Sequence, residues 1–111
     1  MSDLGNIDGT YKEGMVQKKR KNYLRAARWF RMCQNYYEYG ELPVYYKYLE
    51  EYGLDSFNQY EYCKSKLTEE TQRMLDQEEK EHLGSWREFV KFDYMKIKEE
   101  YDMPSDKTSR T

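Results

Sequence analysis

Several things are scarce in this sequence, and each shortage removes a class of protein. Cysteine occurs twice, at Cys33 and Cys63, without Cys-x-x-Cys spacing. Two such thiols do not make the disulfide framework of a small secreted domain, so the expected setting is reduced and cytoplasmic. Histidine occurs once, at His82. With two cysteines it is too little for a recognisable zinc site, and no metal is expected. The glycines follow neither a Gly-x-Gly-x-x-Gly nor a phosphate-loop pattern, and no cofactor is expected. Valine and isoleucine are scarce, strand-type alternation is absent, and no Asn-Gly or Asp-Gly pair sits between β-branched runs. These absences argue against a sheet. No apolar run approaches the roughly 20 residues that span a bilayer. Residues 1–9 also lack the apolar stretch of a signal peptide, so no membrane partner is expected.

What the chain does have is charge and aromatic rings. Of 111 residues, 36% are charged and 17% aromatic, with 13 tyrosines, against 38% hydrophobic. A chain of this length holds one domain and buries roughly 65% of its unfolded surface. The aromatic content separates it from disordered sequences, and tyrosine suits half-buried boundaries with an apolar body and a polar tip.

The punctuation predicts an all-α fold, a compact single-domain bundle of about five helices joined by short loops. Residues 1–9, small and polar, are expected to be a flexible arm. Thr10-Tyr11-Lys12-Glu13 matches a capping box and opens a first helix that runs to residue 39, where Gly40 supplies a stop. Gly14 weakens its first turn. Pro43 at the first helical position opens a second helix over 43–52, ended by Gly53. Asp55 or Ser56 caps a third, over 56–67. Thr68 caps a fourth, stopped by Gly84, with Glu69 and Glu70 at the positive end of its dipole. Ser85-Trp86-Arg87-Glu88 is a second capping box, and a fifth helix follows to residue 101. The helical domain is thus 10–103, with 104–111 a frayed tail.

Charge is segregated. Residues 12–33 hold eight basic side chains and one acid, Glu13, a local charge of +7. The remainder holds 11 basic and 20 acidic residues, −9, which closes on the net charge of −2. At 100° per residue, the first helix places Val16, Tyr23, Ala26, Ala27, Phe30, Cys33 and Tyr37 on a core stripe. Lys18, Lys21, Arg25 and Arg28 fall opposite, Met32 and Tyr36 continue that line, and Trp29 lies on its flank. Cations beside aromatics suit an acidic protein surface, and nucleic acid is the alternative. The acids of the fourth helix offer an internal match instead: Glu69, Glu70, Asp76, Glu78, Glu79 and Glu81.

Other patterns carry less. The pair 43–52 and 56–67 around Gly53-Leu54-Asp55 has a helix-turn-helix outline, which would offer Ser56, Asn58, Gln59 and Lys64 to bases. Asp55 and Glu61 would then face phosphates, and the basic residues lie elsewhere. Glu79-x-x-His82 has the spacing of half a di-iron site, and with one histidine the other half cannot exist. His82 near a helix end suits a C-terminal cation or a packed boundary residue. In the fifth helix, Trp86, Phe89, Val90, Tyr94, Ile97 and Tyr101 form a core stripe with Phe92 and Met95 on the far side. That helix is either central in the bundle or offers Phe92 and Met95 as a second interface, for self-association.

No catalytic triad or nucleophile motif is visible, and the expected function is a small non-enzymatic interaction protein. Short, tyrosine-rich and charge-segregated, the chain resembles small accessory proteins made by phages and other viruses. That resemblance implies binding to a host protein or nucleic-acid machine. Lys18, Lys21, Arg25, Arg28, Trp29, Met32 and Tyr36 are the expected contact residues.

Overall fold

A computed structural model describes residues 7–39, 47–82 and 84–102, with the side chains of 47–49 and 100–102 excepted. The described chain is five α-helices: α1 (Ile7–Lys19), α2 (Tyr23–Tyr39), α3 (Lys47–Ser65), α4 (Glu69–Glu81) and α5 (Trp86–Asp102). There is no strand among the described residues, as the shortage of β-branched residues predicts.

Five helices are expected and five are described, but the division differs: one expected helix is cut, two are joined, and the first starts earlier. The long first helix is cut in two at residues 20–22. Asn22 N–H bonds the Gln17 carbonyl and Lys21 N–H the Lys18 carbonyl, each at 2.9 Å. Those two bonds make a Schellman motif, whose C′ residue takes a left-handed conformation and is usually glycine. Here it is Lys21, with φ 66°. Asn22 caps the next helix too, its carbonyl accepting from Ala26 N–H at 2.8 Å. The expected second and third helices, in contrast, are one. α3 runs through Gly53 without a turn, which removes the helix-turn-helix outline.

Gly53 and Gly14 are contacts rather than breaks. A methyl group on Gly53 would collide with the Tyr37 ring, and one on Gly14 would come within 2.7 Å of the Phe30 ring. Glycine lets two backbones approach as no other residue does, so α1 and α3 close on α2 from both sides. α1 also starts earlier than the capping box implies. Ile7, within the expected arm, is helical and buried, and Thr10 bonds the Ile7 carbonyl from inside the helix. The expected roles of Gly40 and Pro43, and the tail 104–111, lie outside the described residues.

The fourth and fifth helices follow their signals. Thr68 accepts from Thr71 N–H at 3.2 Å, and Gly84 leaves α4 with φ 87°. The central element, however, is α2 and not α5. It packs against α1, α3 and α5. Ala26, Ala27 and Phe30 join Tyr60, Cys63 and Leu75 in one core cluster. Trp29, Met32, Cys33 and Tyr36 join Ile7, Val90 and Ile97 in the other.

Candidate functional site

Because α2 is central, it has no outer face over its middle turns. Phase analysis assumes one buried stripe and one wet one. Here Arg28 is 3% exposed, Trp29 4%, Met32 0% and Tyr36 8%. Four of the seven expected contact residues are therefore sealed inside. They do not form a docking face.

The buried charges are paired. The Arg28 guanidinium donates to Glu78 through both terminal nitrogens, at 3.0 and 3.1 Å, and to Asp93 at 3.2 Å. Arg31 Nη2 lies 2.6 Å from both Glu78 Oε1 and Asp93 Oδ1, and its Nε 3.0 Å from Asp93 Oδ2. Burial works against the Glu78 charge, but bonds from Arg28 and Arg31 outweigh it and hold that carboxyl below its ordinary range. Asp93 is fully buried, and burial prevails there over the pull of the two arginines, raising its pKa. Two arginines and two acids from three helices thus close a buried cluster, with Glu79 3.8 Å from Arg31 at its edge, and it joins α4 and α5 to α2. The Glu78 match is the internal one that the fourth helix offered.

The remaining cations are displaced to the cut. Lys19, Arg20 and Lys21 are exposed, and Lys18 is half-buried, its ammonium 2.6 Å from Gln59 Oε1 and 4.6 Å from the Tyr62 ring centroid. Arg25 is half-buried beside Asn22, Tyr23 and Leu24. Lys18 and Lys21 therefore stay available, joined by two cations that the phase argument set aside. The run of four consecutive cations was itself a signal: four successive residues cannot share one face of a helix. Next to this turn is a groove of about 460 Å³, lined by Met15, Val16, Lys18, Lys19, Tyr23 and Tyr62. Tyr62 belongs to α3, so sequence spacing could not place it here.

The expected second interface is divided. Met95 is exposed. The Phe92 ring is half-buried, against His82 at 4.7 Å, with the Arg28 guanidinium 5.7 Å and the Lys96 ammonium 5.6 Å from its centroid. That ring braces the buried cluster more than it faces outward.

A second depression, about 320 Å³, is lined by Arg31, Gln34, Glu38, Glu79, His82 and Trp86 among others. Its central polar groups are engaged with the surrounding helices. Glu79 accepts from Tyr60 at 2.7 Å, and His82 Nδ1 is 2.9 Å from the Glu78 carbonyl while its ring stacks on Phe89. His82 is thus the packed boundary residue at the end of α4. Cys33 and Cys63 are buried free thiols, each pushed up to about 11 by burial, which disfavours the reactive thiolate. Among the described residues no cluster of His, Cys, Asp and Glu is placed to hold a metal. No helix among them is long and apolar enough to cross a membrane.

Comparison of the chain with protein-family models, with curated proteins and with solved structures finds no match.

Proposed function

We propose that this chain is a non-enzymatic interaction protein that docks an acidic protein surface through the α1–α2 turn. Lys18, Lys19, Arg20 and Lys21 are the contact cations. The observation that carries this reading is the strained lysine at residue 21. An L-residue in the left-handed region costs roughly 1–2 kcal/mol relative to glycine, and backbone strain persists where function retains it. A cation held at that cost, on an exposed corner of the basic stretch, is explained by use of its charge. The C-terminal dipole of α1 favours Lys18 and Lys19 in any case. It does not account for Lys21, which lies past the helix end.

Nucleic acid is the weaker alternative, since the rings that were to stack on bases, Trp29 and Tyr36, are in the core. An accessory protein that modulates a host machine, in the phage manner, needs no more than such a surface. The test compares wild type with a Lys19→Glu/Arg20→Glu/Lys21→Glu variant in affinity capture at several salt concentrations. All three residues are exposed, so the fold survives the change. The expected result is an acidic protein retained by wild type, lost from the variant and lost as salt shortens the screening length. Identical partners with both proteins would overturn the reading, and retained nucleic acid would replace it by the alternative.

A further inference from the structure

We infer that the groove beside the basic turn takes one large apolar side chain from an acidic polypeptide segment, whose carboxylates pair with the surrounding lysines. The inference rests on the acidic-partner reading and specifies the partner. Two groove residues are apolar surface left in water, Val16 at 40% exposure and Tyr62 at 43%. Tyr23 meets Tyr62 edge to face at 6.3 Å, which gives the groove a firm aromatic wall. Its volume, about 460 Å³, lies within the range of sites that enclose a ligand group.

Charge complementarity selects the occupant. Lys18 and Lys66 hold their ammonium groups 4.6 and 5.1 Å from the Tyr62 centroid, and Lys19 stands on the rim. An apolar floor ringed by lysines matches an apolar anchor flanked by acids. Lys19 and Lys66 are therefore set to receive carboxylates while the floor receives the anchor, with Lys18 held on Gln59 beside them, in the manner of anchored helical or extended peptides.

The test uses two synthetic glutamate-rich peptides, identical except for a central phenylalanine or alanine, titrated against the full chain at low salt. The phenylalanine peptide is expected to bind at least about tenfold tighter, the ratio that burial of one such side chain provides. The ratio is expected to collapse toward one in Tyr62→Ser and in Val16→Ser, exposed positions whose folding is checked by circular dichroism. Equal affinity of the two peptides for wild type would overturn the anchor and leave the charged turn standing. Failure of both peptides to bind would overturn the turn as well. α4 exposes Met74 between acids, so sedimentation of the chain alone is the third arm. A dimer abolished both by Met74→Glu and by Tyr62→Ser would show that a second copy fills the groove, and would overturn the external partner.

Discussion

The two ends of one basic stretch have opposite fates. At residues 19–21 the cations stand in solvent on a strained turn, with Lys18 half-buried against Gln59 beside them. At residues 28 and 31 they are sealed among carboxylates. Their sequence neighbourhoods differ little in charge; what differs is the partner the fold brings. Glu78 and Asp93, distant in sequence, meet Arg28 and Arg31 only because α4 and α5 close over α2. The side-chain types agree with the division. A guanidinium presents several donors in a plane and tolerates burial against carboxylates, whereas an ammonium is strongly hydrated and stays outside. The buried pair is two arginines, and the exposed turn is mostly lysine. Net charge along a sequence therefore locates a resource without saying whether it is spent internally.

The sharpest way to break this comparison is at its buried end. Arg31→Ala would leave fully buried Asp93 with one guanidinium contact, from Arg28 at 3.2 Å. Removing one partner of a buried pair costs about 3–5 kcal/mol, a large share of the 5–15 kcal/mol that a domain possesses. Urea denaturation is expected to show that loss, and to show less than about 0.5 kcal/mol for each exposed substitution in the 19–21 turn. Similar losses at both ends would erase the distinction.

The next largest effect concerns how α2 became central. Gly53→Ala puts a methyl group into the Tyr37 ring, and overpacking of this kind costs about 1–3 kcal/mol. If Gly53 instead ended a helix in the left-handed region, alanine there would also cost stability, so the discriminating variant is Gly53→Ala combined with Tyr37→Ala. A loss that largely disappears once the Tyr37 ring is gone confirms the close approach of α3 to α2; a loss independent of Tyr37 returns Gly53 to a turn.

That pair of outcomes marks where the sequence is legible. Two helix starts with a local chemical cause were readable: Thr68 and Ser85 sit just before α4 and α5, whereas the same chemistry at Thr10 and at Asp55 or Ser56 lies inside α1 and α3. The all-α class followed from the scarcity of β-branched residues. Glycine was not readable, because the same residue serves a stop, as at Gly84, and a close contact, as at Gly14 and Gly53. Only the packing partner separates the two. The cut at residues 20–22 was hidden for the converse reason: a Schellman motif closed on lysine lacks the glycine that announces it. The misplaced docking face follows from both. With one continuous helix, Arg28, Met32 and Tyr36 fell opposite the core stripe, with Trp29 on its flank. With a break and a central α2, Trp29, Met32 and Tyr36 fell into the second core cluster and Arg28 into the buried charge cluster, for which no single-helix phase allows.

Acid titration sharpens the electrostatic half of the contrast. The folded Glu78 carboxyl lies below its unfolded value of about 4.3. Its contribution is fully present above that value and is lost as pH falls through the depressed one. Asp55, also lowered, chiefly by the hydrogen bond from Tyr11, acts with the same sign. Asp93 is raised and acts oppositely: the folded state binds its proton more tightly, so its contribution grows as pH falls toward about 3.9. Each unit of depression is worth about 1.4 kcal/mol. Urea midpoints measured from about pH 7 to about pH 3 are expected to decline on the acid side. Glu78→Gln, though less stable throughout, is expected to decline less steeply. An unchanged slope would show that the charge on Glu78 is not what couples α4 to α2.

The smallest effect tests the exposed end, and it is a gain. Lys21→Gly relieves the left-handed residue at the C′ position, where glycine carries no Cβ penalty. Relief of roughly 1–2 kcal/mol is partly offset by the greater freedom of glycine in the unfolded chain, which leaves about 0.5–1 kcal/mol. The thermal midpoint is expected to rise by a few degrees, with binding to the acidic peptides weakened at low salt through loss of one cation. Lys21→Asn repeats the change without the added freedom of glycine, because asparagine tolerates the left-handed region and is uncharged. It should share both the gain and the weakened binding. Stabilisation in both variants with peptide affinity untouched would mean that the strain serves no contact, and the turn would lose the observation that singles it out.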